Sequence, residues 1–208
     1  LSGSEAVAST GKRNTIGVFG GTFDPTHNGH LAVASLALER LDLDKVLFVP
    51  AADPYLRSSP VASVTHRCEM VRLAIAGQPN FSISMVDATR AGHTYTLDTL
   101  TDLKSEFANG TDLVLLLGAD SAASFDRWKC PDDILKLARL AVISRLGQID
   151  PASLPDDHPA RSATYIDELD VDISATQIRE NLMSGKSITN LLPDEVIDYI
   201  RENDLYNT

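Results

Sequence analysis

Thr15-Ile16-Gly17-Val18-Phe19-Gly20-Gly21-Thr22-Phe23-Asp24-Pro25-Thr26-His27-Asn28-Gly29-His30 joins a β-rich apolar run to a pair of glycines, and the glycines to the opening of a helix. Thr15–Gly20 reads as a buried first strand. His30–Leu41 (HLAVASLALERL) is apolar nearly all round and reads as a helix covered on most sides. Strand, glycine turn and helix form the first unit of an α/β protein, and the chain beyond repeats it. Lys45–Pro50 is the next strand. Ser63–Ala76 carries Val64, Cys68, Val71 and Ile75 at steps of four, three and four, a helical stripe. Phe81–Met85 is a weaker strand, followed by a helix with Leu97, Leu100, Leu103 and Phe107 on its inner face.

Leu113–Leu117 (LVLLL) is uninterrupted and apolar, as a central strand covered on both faces must be. Asp132–Ala138 is a short helix, Leu140–Ser144 a strand and Thr164–Ile166 another. Helices follow from about Ser174 and over Pro193–Asn203, the latter opened by Pro193, Asp194 and Glu195, which suit a helix N-terminus. Strands alternating with helices require crossover connections and a parallel sheet. The predicted fold is therefore α/β, a doubly wound parallel sheet in one domain with C-terminal helices. Gly147–Ala163, with Pro151, Pro155, Pro159, Asp156 and Asp157, is predicted to be a mobile surface loop.

The 208 residues suffice for one full core without disulfides or structural metal. With 43% hydrophobic and 23% charged residues the composition is that of a globular protein. No apolar run approaches the ~18–20 residues of a membrane span, so the chain reads as soluble. A formal net charge of −11 disfavours nucleic acid and anionic membranes as partners, but not a small anion in a locally amide-rich pocket. Cys68 and Cys130 lack metal or redox spacing, read as packing thiols and fit a reducing, cytoplasmic setting. Residues 1–14 (LSGSEAVASTGKRN) lack a secretory apolar core. They are expected to be a disordered, appended or trimmed leader, with the domain spanning 15–208.

Ligands of open α/β sheets bind at the carboxyl ends of strands, where chain order reverses. The first such end here is Gly20–His30. Gly20 and Gly21 let backbone approach a ligand and expose amides. The helix opening near Asn28 directs its positive end to the same place. His27 and His30, three apart, project to nearly the same side, and Gly29 between them leaves room for something large against the backbone. Two imidazoles there are donors suited to phosphate oxygens. Zinc would need a third ligand and usually an i, i+4 pair such as HExxH, so no metal site is expected.

Four further segments carry candidate chemistry. In Ile173-Ser174-Ala175-Thr176-Gln177-Ile178-Arg179, Ser174 is a helix cap, Thr176 lies in the first turn, and Arg179 completes a phosphate clamp; a capped helix with a surface arginine is the plainer reading. Thr94, Tyr95 and Thr96 open a helix whose amides could receive a carboxylate, unless they are ordinary caps. Gly118 and Asp120 follow the central strand at its carboxyl end. Trp128 sits in a polar stretch and is either core packing or a stacking face.

GGTFDPTHNGH resembles the signature of the HxGH nucleotidyltransferase superfamily, and its paired histidines resemble the bacterial nicotinate mononucleotide adenylyltransferases. Related phosphopantetheine adenylyltransferases usually have Thr where this chain has His27. Ile173–Arg179 is similar to the superfamily's ISSTxIR motif. The resemblance implies a Rossmann-like nucleotidyltransferase fold over 15–208 and transfer of the adenylyl group of ATP to nicotinate mononucleotide. It implies catalytic roles for His27 and His30. ATP or its phosphates would meet Gly20, Gly21, Thr22, Phe23, Arg57, Gly118, Asp120, Ser174, Thr176 and Arg179. The nicotinate side would meet Asp24, Thr94, Tyr95, Thr96 and Trp128. Mg²⁺ would be carried with ATP without a protein cage.

The chain departs from the family at Pro54-Tyr55-Leu56-Arg57, where Pro-x-His-Lys is usual. Arg57 replaces the lysine charge, but Leu56 cannot replace the histidine's hydrogen bonds. The acceptor therefore stays open between nicotinate mononucleotide, nicotinamide mononucleotide and phosphopantetheine. A nucleotide-binding module without catalysis and an assembly of identical chains also stay open. A Rossmann dehydrogenase is disfavoured, because its GxGxxG is missing after the first strand.

Overall fold

The computed structural model describes residues 14–53, 60–107 and 110–206. The leader up to residue 13 and the Pro54–Arg57 departure, Arg57 included, lie outside them.

Six strands form one parallel sheet: β1 Thr15–Gly21, β2 Lys45–Pro50, β3 Phe81–Ile83, β4 Asp112–Leu117, β5 Arg139–Ile143 and β6 Thr164–Ile166. Their order is β3-β2-β1-β4-β5-β6, the doubly wound arrangement predicted from the alternation of elements. Around it lie α1 Asn28–Arg40, α2 Val64–Ala74, α3 Thr96–Glu106, α4 Ala119–Ala123, α5 Pro131–Leu137, α6 Ala175–Met183 and α7 Asp194–Glu202.

The two-residue period of the strands divides the core. Ile16, Val18, Leu113, Leu115 and Leu117 face Leu100 and Leu103 of α3 and Ile134 of α5. Phe19, Phe48, Val114 and Leu116 face Ala34 and Ala37 of α1 and Val71 of α2. A third cluster joins Met70 and Ala74 of α2 to Ile178 of α6, Val196, Ile197 and Ile200 of α7, and Tyr206 beyond it. That cluster carries the C-terminal segment onto the edge of the first strand-to-helix turn.

The pairing pattern opens a crevice beside β1. β1 pairs with β4 from Thr15–Asp112 to Val18–Leu115, but with β2 onward to Gly21–Pro50. β4 meanwhile pairs with β5 up to Leu117–Val142. The two central strands thus part at their carboxyl ends, between Gly20 and Gly118.

Three expectations are corrected. The 147–163 segment keeps its predicted surface position, but it has structure of its own. It contains two 3₁₀ turns, Pro151–Ser153 and Pro159–Ser162, and it buries His158 and Ala160, with Ile149 and Leu154 packed on the core. The Tyr165 hydroxyl donates to the Ala160 carbonyl at 2.9 Å. β3 ends at Ile83, two residues early, where the Ser84 amide makes its last bond to Phe48 before the chain turns. Of the two predicted packing thiols only Cys68 is buried; Cys130 is exposed, because it caps α5 in a left-handed conformation at the surface.

Candidate active site

β1 delivers the turn 20–27 to the crevice. Gly20 is exposed, and a Cβ built on it meets nothing within 4 Å; the same holds for Gly118 at the end of β4. Both carboxyl ends therefore offer bare backbone. Gly21 serves a different purpose: a Cβ there would lie 2.9 Å from the Phe23 ring. Phe23 is 2% exposed, with φ at 52°, and its ring packs on Phe19, Phe48 and His30. Its side chain is a floor beneath the histidines, and only its backbone is left for a ligand.

His27 caps α1 in an extended conformation, and its amide donates to Nδ1 of His30 at 3.2 Å. That bond makes His30 Nδ1 an acceptor, so the ring proton sits on Nε2. The two imidazoles stack with centroids 3.7 Å apart and planes at 23°. His27 is 6% exposed, and burial lowers its pKa to about 4. It is therefore neutral at pH 7, and the stacked pair carries no like-charge repulsion. Gly29 makes the stack fit: a Cβ there would lie 2.9 Å from His27 Nδ1 and 3.4 Å from the Ile173 carbonyl oxygen. The large group against Gly29 is thus the chain's own imidazole. The helix amides are not all open either, since the Asn28 amide donates to the Leu191 carbonyl at 2.9 Å.

Ser174 caps α6 by accepting from the Gln177 amide at 3.2 Å. One turn on, Arg179 donates through Nη1 to the Asp24 carbonyl at 2.7 Å and through Nη2 to Thr176 Oγ1 at 3.2 Å. The two distant motifs therefore meet: Arg179 rests on the turn that carries His27. A guanidinium has five N–H bonds, and fixing it uses one on each Nη, so three remain for an anion.

Asp24, predicted on the nicotinate side, is turned into the fold. It is 4% exposed, and its carboxylate accepts from the Val61 amide (2.7 Å), the Ala62 amide (3.1 Å) and the Tyr206 hydroxyl (2.7 Å). Thr94 is similarly engaged, its amide donating to the Asp53 carbonyl at 3.0 Å and its hydroxyl at 3.3 Å. Tyr95 caps α3 without a side-chain hydrogen bond to the helix, and Thr96 is the first helical residue. Lys129 Nζ lies 4.2 Å from the Tyr95 ring centre and 3.2 Å from Asp98 Oδ2. Trp128 is half-buried, 5.1 Å from the Phe125 ring. Asp120 is exposed in the first turn of α4. Thr22 places its carbonyl, not its side chain, in the supporting network.

That network centres on Arg67, which sequence reasoning missed. It is 1% exposed and donates to the carbonyls of Ala62 (3.2 Å), Thr22 (2.6 Å) and Ala52 (3.2 Å). Burial lowers its pKa, and the Asp24 charge opposes that shift. The available signal was its place, three residues beyond Val64 and four before Val71, on the stripe that faces inward.

Among the described residues no group of three or more His, Cys, Asp or Glu side chains is placed to hold a metal ion. No helix among them is long and apolar enough to cross a membrane.

A parallel sheet ordered in this way, with its crevice between β1 and β4, belongs to the nucleotide-binding class of doubly wound proteins. The cytidylyltransferase-like family model matches residues 18–181, and the chain belongs to that family. It is 38% identical to the probable nicotinate-nucleotide adenylyltransferase of Dehalococcoides mccartyi, over 92% of this chain and 96% of that one. It is 39% identical to the protein of that name from Thermomicrobium roseum, over 93% and 92% of the two chains. The Plasmodium falciparum nicotinic acid mononucleotide adenylyltransferase complexed with NaAD shares the fold, with a TM-score of 0.75 at 18% identity over 93% of this chain and 97% of that one.

Proposed function

We propose that this chain transfers the adenylyl group of ATP to nicotinate mononucleotide, forming deamido-NAD and releasing pyrophosphate. The names of its relatives point to that acceptor. The observation that carries the reading is the hydrogen bond from Arg179 to the Asp24 carbonyl, which brings a cation from α6 to the turn bearing His27 and His30.

The acceptor's phosphate oxygen attacks the α-phosphorus of ATP in line, and the bond from that phosphorus to the β-phosphate oxygen breaks as pyrophosphate leaves. The nucleophile is already an anion, so no general base is required. The protein contributes orientation and stabilisation of charge spread over the phosphate oxygens. His30 donates from Nε2, Arg179 from the N–H bonds not used on Asp24 and Thr176, and the bare backbone of Gly20 and Gly118 admits the nucleotide. His27 orders the pair through its amide and ring. Mg²⁺ would come with ATP as part of the substrate, where it would neutralise phosphate charge. The first turn of α3, at Tyr95 and Thr96, is the proposed receiver of the nicotinate carboxylate, with Trp128 as a stacking face. Two free cysteines suit a cytoplasmic setting.

A panel of acceptors offered with ATP and scored by pyrophosphate release tests this. Nicotinate mononucleotide is expected to be turned over fastest. Faster turnover of nicotinamide mononucleotide or phosphopantetheine, or ATP binding with no pyrophosphate from any acceptor, would overturn it.

A further inference from the structure

We infer that Tyr206 is a positioning residue for adenylyl transfer: its phenol holds the Asp24 carboxylate, and so fixes the carbonyl that orients Arg179. This rests on the adenylyl-transfer reading above. Tyr206 lies beyond α7, 182 residues from Asp24 in sequence, yet its hydroxyl donates to Asp24 Oδ1 at 2.7 Å. The chain bends sharply to bring it there. Asp204 and Tyr206 both adopt left-handed conformations, with φ of 51° and 65°, which side-chain-bearing residues rarely take. The ring is 7% exposed and belongs to the apolar cluster of Met70, Ile178 and Ile200. A phenylalanine would satisfy that packing, so packing does not account for the hydroxyl.

What the hydroxyl does is visible at Asp24. Oδ1 is shared between the phenol and the Ala62 amide, while Oδ2 takes the Val61 amide. Burial and the Asp24 charge push the phenol's pKa far up, so it remains a donor throughout the working pH range. The same residue's backbone carbonyl receives Arg179 Nη1, and three residues later the chain reaches the histidine stack. Tyr206 is thus two hydrogen-bonded groups away from the phosphate clamp. Without the phenol, the carboxylate keeps the two amides of the 61–62 segment and the nearby Arg67 charge, and the carbonyl that seats Arg179 loses one of its restraints. Misplacement of a charged group by an ångström or less is enough to slow a positioned reaction.

The test is a double-mutant cycle of Tyr206→Phe with Arg179→Met, reading kcat/KM for ATP and the Kd of a non-hydrolysable ATP analogue. Tyr206→Phe alone is expected to lower kcat/KM about tenfold and raise the Kd by a similar factor. In the Arg179→Met background the same change should alter both by less than about twofold. Ile200→Val, which loosens the apolar cluster around the ring but touches neither the Asp24 nor the Met70 contact of the hydroxyl, is expected to lower Tm and leave both readouts nearly unchanged. Equal losses in both Arg179 backgrounds, or no loss from Tyr206→Phe, would overturn the inference. A wild-type chain that binds the analogue yet releases no pyrophosphate would count against the adenylyl-transfer reading, and the Kd comparison would still decide the role of Tyr206.

Discussion

The imidazoles of His27 and His30 lie face to face, centroids 3.7 Å apart, and the amide of the first donates to Nδ1 of the second at 3.2 Å. The amide bond sets the tautomer of His30, while burial keeps His27 neutral beside it.

On the proposed mechanism, replacing His30 with Ala removes a donor to the reacting phosphates. The expected loss in kcat is about 10²–10³-fold, the size seen when a single preorganised donor is deleted. The fold should survive, because α1 keeps Ala34 and Ala37 in the core. Steady-state pyrophosphate release, checked against circular dichroism, reads both. A variant with near-normal turnover would remove His30 from the reaction.

The depressed pKa of His27 predicts an acid-side stability slope. Between about pH 4 and 6.5 the unfolded chain binds a proton at this residue that the folded chain refuses. Stability should therefore be full above pH 6.5 and fall as pH drops toward 4, by about 3 kcal/mol over the window. Urea unfolding of wild type and His27→Asn across that range checks this. The variant is expected to show a shallower slope, and parallel slopes would contradict the assignment.

Gly29→Ala gives a test of sign. An alanine inside a helix normally stabilises relative to glycine, by roughly 0.5–1 kcal/mol. Here its Cβ would fall 2.9 Å from His27 Nδ1 and 3.4 Å from the Ile173 carbonyl oxygen. The variant is expected to gain no stability and to lose at least about tenfold in kcat as the stack is pushed aside. Thermal melts and pyrophosphate release on the same sample decide it.

Arg67→Met is expected to destabilise the chain by about 3 kcal/mol or more. It leaves three carbonyls without their donor and strips Asp24 of a neighbouring cation. A urea midpoint close to that of wild type would show that the network does not hold the turn.

Much of this was legible in the sequence. Alternating apolar runs such as Leu113–Leu117 and the amphipathic stripe of α2 dictate strands and helices, and their order dictates a parallel sheet. The glycine turn, the histidine pair and the Ser174–Arg179 segment announced themselves by residue type and position. What was not legible was the direction of side chains held by long-range bonds. Asp24 reads as a residue of the nicotinate side until Tyr206 and the Val61 and Ala62 amides are seen to surround it. Gly21 and Gly29 read as ligand clearances until Phe23 and His27 are found occupying the space. The 147–163 segment reads as a loop from its prolines and aspartates, because its burial depends on partners elsewhere in the chain, such as Asp126, 3.5 Å from His158 Nε2.

The most direct measurement is a crystal structure of the chain with a non-hydrolysable ATP analogue. The phosphates are predicted within hydrogen-bonding distance of His30 Nε2 and the Arg179 guanidinium, with the nucleotide lying over Gly20 in the crevice between β1 and β4. Phosphates bound elsewhere, with His30 and Arg179 both out of reach, would contradict the account.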